Sequence, residues 1–162
     1  MKIIIVGRGK VGQATAKRLS AEGHDITLVD KNADRIQHLG DRLDIMCVKG
    51  NGLHTGILLE AGVAEADLII TTTQSDEINM LCCLTAKRLG AKHTIARIRD
   101  PEYSEELSAL KKEMGLDMVV NPEQEAAAEI ARVLRFPTAI NVETFVDGKV
   151  EMVSFRIKEN DI

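Results

Sequence analysis

The first twelve residues, Met1 to Gly12, constrain this chain more than any other stretch. Ile3, Ile4, Ile5 and Val6 form a β-branched apolar run without polar alternation, the pattern of a strand covered on both faces in a parallel sheet. The run leads directly into Gly7-Arg8-Gly9-Lys10-Val11-Gly12, a G-x-G-x-x-G spacing, with a helix expected to begin near Val11. The glycines have separate physical tasks. Gly7 permits a tight turn, Gly9 lets the backbone approach a pyrophosphate, and Gly12 lets the helix pack against the strand. The helix's free N–H groups and positive dipole end face the same point, which makes the turn a phosphate cradle.

Glycine turns of this spacing also occur for packing alone, so the residues that follow decide between the two. An amphipathic helix, with Ala14, Ala16 and Leu19 opposite Lys17, Arg18 and Glu22, passes through a turn at Gly23 into a strand that ends in Asp30. A carboxylate at that position accepts hydrogen bonds from both hydroxyls of an adenosine ribose and repels a 2′-phosphate, which favours NAD over NADP. Lys31, next to it, offsets part of that repulsion.

A helix over 33–41 and a strand Asp44–Val48 complete one mononucleotide-binding half with right-handed crossovers. At the third strand's carboxyl end stands Gly50-Asn51-Gly52, where Asn51 either hydrogen-bonds an adenine or completes a turn in which Gly and Asn supply positive φ. A short helix His54–Ala61, stopped by Gly62, precedes the strand Asp67–Thr71. This strand adjoins the first across the switch point, so Thr72, Thr73 and Gln74 face the same crevice as Gly7–Gly12, while Ser75 caps the helix running to Leu89. Arg97, ending the strand from His93, pairs either with a phosphate or with Asp76 or Glu77 as a structural ion pair. A helix from Pro101 and a strand Met118–Val120 follow. The expected fold is α/β: a Rossmann-type doubly wound sheet of six parallel strands in the order 3-2-1-4-5-6.

Beyond the cap Asn121-Pro122, a helix Glu123–Leu134 carries a broad apolar face of Ala126, Ala127, Ile130, Ala131, Val133 and Leu134. Ala139–Val146 and Lys149–Ile157 form a hairpin around Asp147-Gly148. A two-stranded hairpin is marginally stable alone, and the helix face exceeds what one sheet needs, so the pair predicts at least a homodimer. The expected domains are 1–136, a nucleotide-binding unit including this helix, and 137–162, the start of a dimerisation lobe.

Composition narrows the function. A net charge of −4, one Tyr and no Trp remove the basic stripe and stacking platforms of nucleic-acid binders. Cys47, Cys82 and Cys83 lack metal-ligand spacing and read as reduced thiols in or near the core. With no run of eighteen apolar residues and no leader with a cleavage site, the chain is expected in the cytoplasm. After Val120 only one helix and a hairpin remain to supply substrate groups, so the chain is expected to bind rather than catalyse. The alternatives are a fragment of an NAD-dependent oxidoreductase and a soluble nucleotide sensor with some other partner. NAD or NADH is the expected ligand, with ATP or ADP next, because both pairs share the adenosine half.

Taken together, Lys2–Gly12, His24–Asp30, Leu59-Glu-Ala-Gly62 with Ala66-Asp67, Ser75–Met80, Ile95-Ala-Arg97 with Pro101-Glu-Tyr103, and Asn121-Pro-Glu123 resemble the regulator-of-potassium-conductance (RCK, or KTN) family over nearly the whole chain. The resemblance implies nucleotide contacts from Gly7 to Val11, Asp30, Asn51, Thr73 with Gln74, and Arg97; many members carry another residue at the position of Asn51. It also implies that the 123–134 helix crosses to a partner subunit. Chains of this kind form a ring on the cytoplasmic face of a membrane potassium transporter, and nucleotide exchange gates transport. Family members carry a further C-terminal ligand-binding lobe that Ile162 stops short of, so the chain is expected to be a piece of a longer protein.

Overall fold

The computed structural model describes residues 1–32, 36, 39, 40, 42–100, 103, 111, 113–137, 139–145 and 150–156. The chain falls into two compact units, Met1–Asn121 and Pro122–Ile162, with the helix after Asn121 in the second.

The first unit is built on β1 (Lys2–Val6), which pairs in parallel with β2 (Asp25–Asp30) on one side and β4 (Leu68–Thr71) on the other. With β3 (Met46–Lys49), β5 (His93–Arg97) and β6 (Met118–Val120) the order is β3-β2-β1-β4-β5-β6, all parallel, as the sequence predicts. The unbroken apolar run of β1 has a direct cause. Ile4 and Val6 enter a cluster with Val29, Val48, Leu58 and Ile69, while Ile3 and Ile5 enter one on the other face with Ile26, Leu28 and Ala16. Every side chain from Ile3 to Val6 is at most 3% exposed. Burial of each such side chain contributes roughly 1.5–3 kcal/mol, so the strand that carries the glycine turn is firmly anchored.

Helices α1 (Lys10–Ala21), α2 (Thr55–Glu60) and α3 (Asp76–Arg88) connect the strands, with a short 3₁₀ turn Val63–Glu65 after α2. Gly62 ends α2 at φ 82°, a left-handed conformation that glycine adopts without strain. The third strand starts two residues later than expected because Asp44 sits at φ 51° and turns the chain before Met46. Cys82 and Cys83 are free and fully buried, and burial pushes both thiols up to about 12, consistent with inert core positions. Among the described residues no helix is long and apolar enough to cross a membrane.

The second unit comprises α4 (Pro122–Arg135) and an antiparallel hairpin of β7 (Ala139–Phe145) and β8 (Val150–Phe155), joined by an Arg135–Glu151 ion pair at 2.9 Å. No residue of α4 is buried, and Leu134 is 72% exposed. The helix from Pro101, the Asp147-Gly148 turn, and most of the helix over 33–41 lie outside the described residues.

Candidate functional site

The parallel register aligns the carboxyl ends of three strands. Val6 pairs with Val29 and with Thr71, so the glycine turn, Asp30 and the loop after β4 emerge on one edge of the sheet. Between them lies a cleft of about 510 Å³. Its described lining includes Gly7, Arg8, Gly9, Asp30, Lys31, Asn51, Thr72, Thr73 and Gln74, all expected from the sequence. Ser75, Ile78, Val6, Val29, Gly50 and Gly52 complete it and were not singled out as site residues.

The three glycines of the fingerprint differ in the space around them. Gly7 is at φ 99°, and a Cβ there would lie 2.9 Å from the backbone of Thr72 and Thr73. Gly12 has no room at all, since a Cβ would sit 2.0 Å from the Gly7 carbonyl oxygen. At Gly9 the same atom would meet only the Thr72 carbonyl oxygen at 3.7 Å, so this backbone is open to a close-approaching ligand.

Helix α1 begins at Lys10, with Gly9 as an N-cap that lends no side-chain hydrogen bond and no acidic residue in the first turn. Its leading N–H groups and dipole therefore lack a covalent counter-charge and suit an anion. The start of α3 is the opposite case. Ser75 accepts from the Ile78 N–H at 3.2 Å, and Asp76 and Glu77 occupy the first turn. The Ser75 hydroxyl also donates to Glu77 and holds its carboxyl below the usual range. Lys10, Val11 and Gly12 stand behind Gly9 rather than in the described cleft wall. The Arg8 Nε, by contrast, is buried at the cleft without a hydrogen-bond partner among the described residues.

Asp30 is half-buried and structurally committed. Its Oδ2 accepts from the Arg8 N–H at 2.7 Å and its Oδ1 from the Asn32 N–H at 2.9 Å. The acid thus fixes the glycine turn against β2, and the remaining lone pairs are available to ribose hydroxyls. Lys31 is exposed beside it.

Asn51 closes its own turn, its Oδ1 accepting from the Leu53 N–H at 3.2 Å. The expectation of positive φ in this turn is corrected by the structure. The described positive-φ residues do not include Gly50, Asn51 or Gly52. The glycines are required by packing instead, because a Cβ would lie 2.5 Å from Ile57 at Gly50 and 2.4 Å from Val6 at Gly52.

On the opposite wall, Thr72 is buried and its hydroxyl lies 2.8 Å from the Gly7 carbonyl oxygen, bracing the turn. Thr73 and Gln74 face the cleft more openly. Arg97, half-buried at the end of β5, reaches the Thr73 carbonyl at 3.5 Å and does not appear in the described cleft wall. Asp76, which the sequence offered as its ionic partner, receives the Arg99 N–H at 2.8 Å, the Asp100 N–H at 3.0 Å and the Arg99 guanidinium at 3.5 Å. No cluster of described His, Cys, Asp or Glu residues has the arrangement of a metal site.

A parallel sheet of this order, a glycine turn leading into an uncapped helix, and an acid at the end of the second strand together define a Rossmann-type nucleotide-binding architecture. Comparison with known proteins places it further. The family model of the TrkA-N domain matches residues 3–122, and the chain belongs to that family. The Trk system potassium uptake protein TrkA of Vibrio alginolyticus is 40% identical over 159 residues, which cover 96% of this chain and 35% of that protein. The chain thus spans about a third of the length of the curated relatives it matches. Among solved structures, the GsuK channel bound to NAD is 25% identical with a TM-score of 0.67, over 90% of this chain and 25% of that one. GsuK bound to ADP is 28% identical with a TM-score of 0.62, over 74% of this chain and 31% of that one. These matches bear out the resemblance drawn from the sequence.

Proposed function

We propose that this chain is the nucleotide-binding module of a regulatory subunit of a potassium uptake system, and that it binds an adenine nucleotide without turning it over. The observation that carries this is the pairing of an open, uncapped α1 N-terminus with Asp30 across one cleft. Phosphates sit at Gly9 and the first turn of α1, with Arg8, Lys10 and Lys31 supplying positive charge, and the adenosine ribose bonds Asp30. NAD or NADH fits both halves of the cleft, and ATP or ADP shares the adenosine half. The names of the relatives, potassium uptake proteins and a channel seen with NAD and with ADP, support this reading.

The subunit lies at the cytoplasmic face of the membrane, against a potassium-transporting partner, and assembles at least as a homodimer through α4 and the hairpin. Ile130, Val133 and Leu134 on α4, with Ile140, Phe145 and Phe155 on the hairpin, are each at least 47% exposed. Left uncovered they form a patch of the kind that marks interfaces. Leu134→Asp changes a side chain that is 72% exposed, so it should leave the fold intact and shift the chain to monomer in light scattering. An unmodified chain that is monomeric at every concentration contradicts the assembly.

Gating requires that two ligands differ in affinity for two assembly states, and nucleotides of different phosphate length meet the Gly7–Gly12 and Thr72–Ser75 walls differently. The test is potassium flux into vesicles carrying the transporter and its full-length regulatory subunit, with and without NADH, NAD, ATP and ADP. Flux should change with the nucleotide supplied. Flux indifferent to all four defeats the regulatory role.

A further inference from the structure

Asn79, in the first turns of α3, is 0% exposed, yet it is a polar side chain where the neighbouring core is Met80, Cys83 and Ile98. Its amide is fully used. Oδ1 accepts from the Thr73 N–H at 2.8 Å and from the Thr73 hydroxyl at 2.7 Å, and Nδ2 donates to the Arg97 carbonyl at 2.7 Å. Its own backbone carbonyl accepts from the Thr71 hydroxyl at 3.1 Å. One residue therefore ties together the exit of β4, the start of α3 and the end of β5. Burying an amide is unfavourable unless its bonds are made, and an aliphatic side chain of similar volume would fill this space without that demand. The polar choice at this position is explained by what it holds. Three of its bonds end on Thr73, the third from Nδ2 to the Thr73 carbonyl at 3.5 Å; Thr73 lines the cleft, and its neighbours Gln74 and Ser75 extend the same wall.

We propose that Asn79 is a positioning residue for the nucleotide: it fixes the Thr73–Ser75 wall at the distance where that wall meets the part of the ligand beyond the first phosphate. The adenosine half is held across the cleft at Asp30 and does not depend on it. The inference rests on the adenine-nucleotide reading above and adds to it the residue that discriminates long ligands from short ones.

The test compares AMP, ADP and NAD by calorimetry on the unmodified chain, on Asn79→Leu, and on Thr73→Val, which removes the hydroxyl that bonds Asn79 and the Ser75 backbone and keeps the Thr73 N–H bond to Asn79. Asn79→Leu should weaken NAD and ADP about tenfold while AMP stays within about twofold, since the bonds lost position only the distal half. Thr73→Val should show the same selectivity with a smaller loss, and it carries the test by the same criterion if Asn79→Leu does not fold. Exchange of the Thr73 amide proton, followed by NMR, should accelerate in Asn79→Leu. A merely structural role predicts a fall in stability with AMP and NAD weakened alike. That equal loss, undiminished NAD affinity in a folded Asn79→Leu, or unchanged Thr73 exchange would each overturn the inference. An unmodified chain that binds none of the three would instead overturn the nucleotide reading, and this inference with it.

Discussion

Gly12→Ala is expected to lower the melting temperature of the chain by roughly 6–12 °C, or to prevent its folding, because forcing atoms into a filled site costs about 3 kcal/mol. The added Cβ would lie 2.0 Å from the Gly7 carbonyl oxygen and 2.6 Å from the Thr72 hydroxyl. Neither atom can withdraw. Gly7 follows a buried strand, and the Thr72 hydroxyl is bonded within the turn at 2.8 Å. Gly9→Ala is the informative contrast, since its Cβ meets open space apart from one contact at 3.7 Å. It should cost less than about 1 kcal/mol of stability, mostly through the altered N-cap, while obstructing the approach of a phosphate. Thermal unfolding by circular dichroism separates the two variants. A Gly12→Ala chain that melts with the parent would contradict the close packing of α1 on β1.

Asp30→Ala should weaken adenine-nucleotide binding by about 1.5–3 kcal/mol, roughly tenfold to a hundredfold in dissociation constant, since bonds from ribose hydroxyls to a carboxylate are charge-assisted. The structure adds a second route to the same loss. Asp30 also holds the Arg8 N–H at 2.7 Å, so its removal releases the glycine turn as well as the ribose. Asp30→Asn distinguishes the two contributions. The amide oxygen can still accept from the Arg8 N–H, at the cost of the bond from the Asn32 N–H, so the glycine turn stays held while the negative charge that repels a 2′-phosphate is gone. Affinity for NAD should fall less than in Asp30→Ala, and the preference for NAD over NADP should narrow. Calorimetry in which Asp30→Ala binds like the parent removes Asp30 from the site.

The order of the sheet was legible because the strands of the first unit recur at the spacing of a crossover, and Ile3–Val6 alternate between two buried faces. The tight places at Gly7 and Gly12 were legible for a related reason, since they depend on neighbours fixed by local geometry. What stayed hidden are bonds from side chain to backbone across long separations. Asp30 bonds Arg8 over 22 residues and Asn79 bonds Arg97 over 18, and no periodicity encodes either. Asp76 is a further case, since the backbone N–H groups of Arg99 and Asp100 reach its carboxylate over 23 and 24 residues, beside the Arg99 guanidinium. The glycines around Asn51 show the converse limit. Their presence was plain, yet the cause is contact with Ile57 and Val6, side chains whose proximity only the folded chain reveals.

The proposed function requires that the cleft between the glycine turn and Asp30 hold an adenine nucleotide. Isothermal titration of the unmodified chain with NAD, NADH, ATP and ADP tests it most directly. Saturable binding of at least one of them is expected, with one site per chain and competition between NAD and ADP for that site. Absence of binding by all four, or simultaneous binding of NAD and ADP to separate sites, would contradict it.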